Sequence, residues 1–369
     1  MRRGFVSLCV ICFLVGIFLI RYYTFSYTFK PIDTVKVEGR ISSDPLVFGN
    51  RQRIEVGQFR AYIPRYPEYF YGDLVLLEGH LAQKNNWWEF KRVNRIERVE
   101  EAGKGLLLGL RQRVVEIYKE LLPEPHSALL SGVVLGTKSS LDSRFFDALR
   151  NTSTLHIVVA SGTNVSFLGG GILGFLAPWM GRKKALIFAL LAIWVYVLLS
   201  GIQPPLVRAA VMGTIAFLAQ SLGREFSAIR ALVFSAVILL LIYPFWLFDL
   251  GFQLSFLATL GVIGFGGWIG GKLGGLRKFP AIRESLATSL GAQIAVAPLL
   301  FFNFGQISFI GPLVNMLVLP TVPIIMVLGF VLGGLGLLGK LGEQVAQLFA
   351  WAVWLPLEYF VRIVTLFGN

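Results

Sequence analysis

From residue 154 to residue 366 the chain repeats one pattern eight times: a long apolar run closed by a short polar or glycine-rich break. The runs fall at 154–178, 185–202, 204–222, 226–243, 249–269, 284–303, 308–338 and 344–366. About twenty consecutive apolar residues cross the hydrocarbon core of a bilayer as one helix, and a water-soluble domain has no use for so many. With 55% of residues hydrophobic and 15% charged, a soluble globule is excluded and a polytopic α-helical membrane protein is expected. A further run, FVSLCVICFLVGIFLI, follows Met1, Arg2 and Arg3. Arg21, Tyr22 and Tyr23 come after it instead of a small-residue cleavage site, so residues 1–30 read as an uncleaved N-terminal transmembrane anchor. The expectation is about nine membrane spans.

Orientation follows from the loops. Lys and Arg number 34 against 21 Asp and Glu, and the excess gathers at residues 181–184, at Arg224 and Arg230, between Lys272 and Arg283, and at Lys340. The loops near 203, 246 and 305 carry no basic residue. The positive-inside rule puts the basic set and the N-terminus in the cytoplasm and residues 31–100 outside. The parity closes when residues 126–150, two short helical pieces broken at LGTKSSLD, make no net crossing. Gly, Pro and polar breaks inside the spans, above all ISFIGPLVNMLVLPTVP, predict broken or re-entrant helices, with 308–320 as the re-entrant candidate.

Residues 31–100 differ in kind. They hold 11 basic and 10 acidic residues between short alternating runs such as TVKVEGRI, RQRIEVGQFRAYI and DLVLLEGHL. Runs this short, punctuated by Gly, Pro and Asn, predict a small extracytoplasmic β domain, a five-stranded OB-like β-barrel. Tyr62, Tyr66, Tyr69, Tyr71, Trp87 and Trp88 are able to stack on bases; they are equally suited to fill the barrel core or rest on lipid. Residues 101–122 then predict an interfacial amphipathic helix, with Leu107, Leu110, Val114, Ile117 and Leu121 opposite Lys104, Arg111, Arg113 and Lys119. Residues 123–369 form the transmembrane domain proper.

Polar residues sit where oil rejects them. HIVVASGTNVSF, residues 156–167, is the densest group. On an unbroken helix Thr163 falls near the azimuth of His156, Asn164 about 80° round, and Ser161 about 140° away, which disfavours a serine–histidine dyad for an intramembrane hydrolase. His156, Ser161, Thr163 and Asn164 either line an aqueous path or tie helices together. Arg208, just after Pro204 and Pro205, either contacts phosphate or pairs with Asp249. Glu358 and Arg362, four apart on the last run, read as a local ion pair. Three scattered histidines, His80, His126 and His156, with Cys9 and Cys12 in the first apolar run, assemble no metal site, and no residue pattern calls for a cofactor.

Taken in order, LLSGVVLGTKSSLD, TLHIVVASGTNVSFL, GIQPPLVRAAVMGTIAFLAQSLGR, DLGFQLSFLATLGVIG, the segment from Gln293 to Pro298 and that from Asn315 to Pro320 resemble the ComEC family of DNA-uptake channels over residues 126 to about 340. The resemblance implies a bacterial inner-membrane channel that passes single-stranded DNA into the cytoplasm during natural transformation. It also implies work with a separate DNA receptor, a cytosolic motor, since no GxxxxGK[ST] loop occurs here, and a nuclease. Many relatives carry a C-terminal metallo-β-lactamase-like nuclease domain, which this sequence lacks. Two departures stand out: the family's SGxHV reads Ser161-Gly162-Thr163-Asn164-Val165 here, and Leu135-Gly136-Thr137 replaces a more usual Gly-Asp pair. Gln253, Ser255, Gln293 and Asn315 join the expected DNA path, because a lining of weak, uncharged hydrogen-bonding groups lets a polyanion move on. The competing reading is a polytopic transporter of a small solute or cell-envelope precursor.

Overall fold

The computed structural model describes Gly16 and residues 34–368, apart from 49, 85–86, 101–105, 138–141, 159–160, 224, 277–278 and 305–309. Except for Gly16, the expected N-terminal anchor lies outside the described residues.

Six strands come first: β1 (Thr34–Arg40), β2 (Leu46–Phe48), β3 (Arg51–Val56), β4 (Phe59–Pro64), β5 (Leu74–Lys84) and β6 (Trp87–Glu100). They form one sheet in the order β1-β5-β6-β4-β3-β2, antiparallel throughout except for the parallel pair β4 and β6. The expected five strands become six because the first breaks between Ile41 and Pro45, where proline withholds a ladder N–H. Just past β1, Ile41 bridges Val56 of β3, so the chain leaving one edge strand meets the strand next to the other edge. Strict alternation sends Ile54, Ala61, Ile63, Val75, Leu77, Leu81 and Phe90 into one core. At Gly79 a Cβ would stand 2.1 Å from the carbonyl oxygen of Arg92, so only glycine lets β5 lie this close to β6 at its register shift.

Helices make up the rest. In chain order they are α1 (Leu106–Leu121), α2 (His126–Leu135), α3 (Ser143–Asn151), α4 (Leu155–Val158), α5 (Gly162–Met180), α6 (Arg182–Leu199), α7 (Pro204–Ser221) and α8 (Ala228–Ile242). After a 3-10 turn at Pro244–Phe248 follow α9 (Leu250–Lys272), α10 (Pro280–Phe304), α11 (Gly311–Val318), α12 (Val322–Gly336) and α13 (Lys340–Gly368). Four stretches among the described residues are long and apolar enough to cross a membrane unaided: Leu250–Lys272, Ile282–Asn303, Gly311–Gly336 and Gly342–Gly368. Large apolar side chains cover the outside, including Trp179, Leu191, Phe302, Leu348, Trp351 and Leu355. A surface of this kind is stable in lipid and aggregates in water.

The centre of the bundle is α2, all of whose residues are buried; at ten residues it is too short to span. Gly136 ends it at φ +70°, with its N–H donating to Gly132 O. On one side α1 lays Val114, Ile117 and Tyr118 against Gly333, Gly336 and Gly329 of α12, and Tyr118 Oη donates to Gly329 O at 2.8 Å. The apolar face of α1 is therefore divided, with Val114, Ile117 and Tyr118 covered by protein and Leu106, Leu107 and Leu110 exposed. Arg111 departs from the polar face assigned to it and is buried, with Nη2 donating to Asp44 at 2.7 Å and to Leu135 O at 3.4 Å. A second correction concerns 308–320: α11, a 3-10 turn at Leu319–Thr321 and α12 follow one another with helical backbone angles, so Pro320 tightens the path and does not reverse it.

Candidate functional site

The polar group at residues 152–166 is not one helix. Thr152 and Thr154 close a turn through their hydroxyls at 2.8 Å, and Ser153 takes φ +53°, an uncommon angle for a residue with a Cβ. After the single turn α4, the backbone opens at Ser161 to φ −110° and ψ 162°, and α5 starts afresh at Gly162. The azimuths of an unbroken helix are thereby corrected, since His156 and Asn164 belong to different elements. His156 is exposed, and its Nδ1 donates to Ser153 O at 2.8 Å, which leaves Nε2 as the ring's acceptor. Ser161 Oγ donates to Asn164 Oδ1 at 3.1 Å, so its proton is committed away from His156 and no nucleophile–base contact forms.

Asn164 is 1% exposed. Its Nδ2 donates to Val133 O at 2.9 Å and, at 3.5 Å, to Tyr196 Oη, so one amide joins α2, α5 and α6. Thr163 and Ser166 lie on the exposed side of α5. Together with Gly170 and Gly174 they occupy an arc of about 80°, counting 100° per residue. Nothing stands within 4 Å of a Cβ placed on Gly170 or Gly174.

Arg208 reaches this region from α7, a helix begun by Pro204 and Pro205, which preset its first turn. Arg208 is 9% exposed. Nη1 donates to Ser255 O and Thr259 Oγ1 on α9, and the group stands 5.7 Å above the Phe256 ring. Its Nη2 lies 2.7 Å from where a Cβ on Gly162 would be. Asp249, the expected partner of Arg208, caps α9, with Oδ1 accepting from Phe252 N at 2.8 Å. Gln253 Nε2 donates to Leu247 O at 2.8 Å.

The other expected residues sit apart from this group. Asn315 on α11 is buried and donates to Ser289 Oγ on α10 at 3.5 Å, while its Oδ1 has no partner among the described residues. Gln293 is half-buried on α10. In the β domain Tyr62 and Tyr66 are exposed, and Trp88 packs half-buried against the sheet core; the side chain of Trp87 lies outside the described residues. Burial pushes the Tyr69 phenol above its ordinary pKa, partly offset by the Arg98 guanidinium over its ring, so Tyr69 stays neutral within the core. Glu358 accepts from Arg362, as their spacing predicts, and also faces His126 Nε2 at 2.7 Å.

Thr259 escaped the sequence reading, and so did the closeness of Gly162 to Arg208. Thr259 lies four residues after Ser255, and that spacing on one helix face would have marked it. Gly162 matters only through what stands opposite it, which no local pattern carries. No group of three or more His, Cys, Asp or Glu among the described residues is placed to hold a metal ion.

An apolar-surfaced helical body carrying a six-stranded β domain defines a polytopic membrane protein. The family model described as "Competence protein" matches residues 133–369, and the chain belongs to that family. Over 266 residues it is 29% identical to "ComE operon protein 3" of Bacillus subtilis (strain 168), covering 70% of this chain and 32% of that protein. Over 226 residues it is 26% identical to "Uncharacterized protein YcaI" of Escherichia coli (strain K12), covering 58% of this chain and 30% of the other. The chain thus spans about a third of the length of these curated relatives. No solved structure matches.

Proposed function

We propose that this chain forms the membrane path by which single-stranded DNA enters the cytoplasm during natural transformation. Family membership supplies the class. The observation that carries the reading is the uncovered face of α5: Thr163, Ser166, Gly170 and Gly174 sit opposite its buried residues, next to the guanidinium of Arg208. Ser166 Oγ donates to Gly162 O at 3.2 Å and the helical backbone satisfies itself, so it is the outward Thr163 hydroxyl that gains from an aqueous neighbour. Weak neutral contacts with one cation nearby suit a polyanion that must keep moving. In this reading Ser161, Thr163, His156, Arg208, Gln253 and Ser255 flank the strand near its entry, and Gln293 and Asn315 lie further along.

The full body crosses the inner membrane about nine times, with the N-terminus cytoplasmic and the β domain outside. The shorter helices α5 to α8 act as spans beside the four long ones. We read the sheet as an OB-type barrel whose broken first strand closes it. The parallel pair β4 and β6 and the bridge from Ile41 to Val56 support that reading. Tyr62 and Tyr66 then offer exposed rings on which bases stack. We read this body as a conduit that works with a DNA receptor, a motor and a nuclease activity.

The test is genetic. Deleting the gene and supplying labelled donor DNA is expected to abolish chromosomal acquisition of the label while leaving surface binding intact. Normal acquisition in the deletion strain would sink the reading and return the solute-transporter alternative to first place.

A further inference from the structure

Helix α6 opens on Arg182, Lys183 and Lys184, three exposed cations in a row at the edge of an apolar surface. Beside them, between α6 and α7, runs an open groove of about 560 Å³. Gly213, Ala216, Phe217 and Gln220 of α7 form one wall, at the spacing that puts residues on one helix face, and Leu186 of α6 lines the other. Gly223 and Phe226 line the end beyond α7. No neighbouring atom stands within 4 Å of a Cβ placed on Gly213, so the groove owes its depth there to the missing side chain.

Charge and shape run in one direction along this groove. The short connection at residues 200–203 makes α6 and α7 antiparallel, and Trp194 Nε1, donating to Thr214 Oγ1 at 3.3 Å, sets their register. The cationic start of α6 therefore lies level with the end of α7, where Gln220 is exposed. Arg182 and Lys183 precede Leu186 by four and three residues, which places both on the groove's side of α6. Glu225, exposed beside Phe226, offsets one of the three charges and leaves this end cationic. From Gln220 to Gly213 the wall extends about 10 Å along the helix axis, against about 15 Å for the apolar half of a bilayer. A cationic head and an apolar length within one leaflet fit a phospholipid. The neighbouring groove between α5 and α6, of about 450 Å³, has no polar residue in its lining and offers nothing there to a headgroup. A second copy of the chain fits the α6–α7 groove less well, because a two-fold contact along it would bring two cationic ends together.

We propose that the α6–α7 groove binds an anionic phospholipid. One acyl chain lies along Gly213, Ala216 and Phe217, and the headgroup phosphate accepts from Gln220 Nε2 and sits against Arg182 and Lys183. The site does not depend on the strand-conduction reading and needs only a bilayer around the body. Each cation attracts an anionic head more than a zwitterionic one.

Full-length protein in a mild detergent is mixed with equal amounts of dioleoyl phosphatidylglycerol and dioleoyl phosphatidylcholine, and the lipids it retains are identified by native mass spectrometry. Wild-type protein is expected to hold phosphatidylglycerol in preference. Arg182→Gln combined with Lys183→Gln is expected to lower that preference about fivefold for each charge removed. Gly213→Leu keeps the charges but fills the groove, and is expected to lose a retained phosphatidylglycerol. Lys272→Gln, which removes a cation at a different loop, is expected to change nothing. Thermal midpoints of all variants are read alongside; should either the double variant or Gly213→Leu fail to fold, the other decides.

Wild-type preference in the folded double variant, or wild-type retention in folded Gly213→Leu, overturns the proposal. An equal loss in Lys272→Gln does so too, because overall surface charge then sets the preference. So does a wild-type dimer that Gly213→Leu converts to monomer, because the groove then belongs to a second copy of the chain.

Discussion

Asn164 has been put out of reach of water by the fold, and its amide spans three helices. Replacing it with leucine removes the bond to Val133 O and leaves that carbonyl, and the Ser161 hydroxyl, without their partner. A cost of about 1–3 kcal/mol is expected, seen as a lower thermal midpoint in detergent. Asn164→Leu unfolding at the wild-type temperature would show the amide to be dispensable. Thr163, its neighbour, is exposed, so Thr163→Val is expected to leave the midpoint unchanged and to be felt only in DNA entry. Residue types in this segment were legible in the sequence, since five polar groups in twelve apolar-flanked positions demand a reason. Their division of labour was not. It depends on the break after α4, which turns Asn164 inward and Thr163 outward, and that break rests on backbone angles at Ser161 and not on any proline.

At the scale of elements, the close fit of α1 on α12 depends on two missing side chains, those of Gly333 and Gly336. A Cβ at Gly336 would stand 2.5 Å from Ile117 Cγ2. Gly336→Ala is therefore expected to destabilise by about 1–3 kcal/mol through overpacking. Ile117→Ala in the same chain removes the opposing methyl group and is expected to recover part of that loss, measured as the amount of monodisperse protein after heating. Equal loss in single and double variants would mean that the two residues do not meet. The apolar runs announced most of these helices. Hydropathy alone did not show that α2, which reads as one more apolar piece, lies at the centre, or that α1 spends half its face on protein. In the sheet, alternation and punctuation gave the strands, whereas the break at Ile41–Pro45 that yields a sixth depends on pairing with strands far along the chain.

For the molecule as a whole, the Asp44–Arg111 pair joins the β domain to the helical body. Both side chains are less than a tenth exposed, Tyr71 lies 5.4 Å under the guanidinium, and the Tyr71 ring rests against Gly201. Arg111→Ala strands a buried carboxylate, and a loss of about 3–5 kcal/mol is expected. Protease release of residues 34–100 from the membrane body is the measurement. Leucine at both positions is expected to restore much of the seating, because an apolar pair carries no desolvation cost. Topology is testable at the same scale: a reporter fused at position 182 is expected to read cytoplasmic and one at position 100 external. An external reading at 182 would reverse the assignment made from the basic loops.

The seat of that arginine has a mechanical side. Arg111 holds the sheet through Asp44 and also grips the carbonyl of Leu135, the last residue of the fully enclosed α2. A tug on the β domain is thus handed, within one side chain's length, to the innermost helix of the bundle. From there Val133 passes it to Asn164, beside the mouth of the stripe on α5.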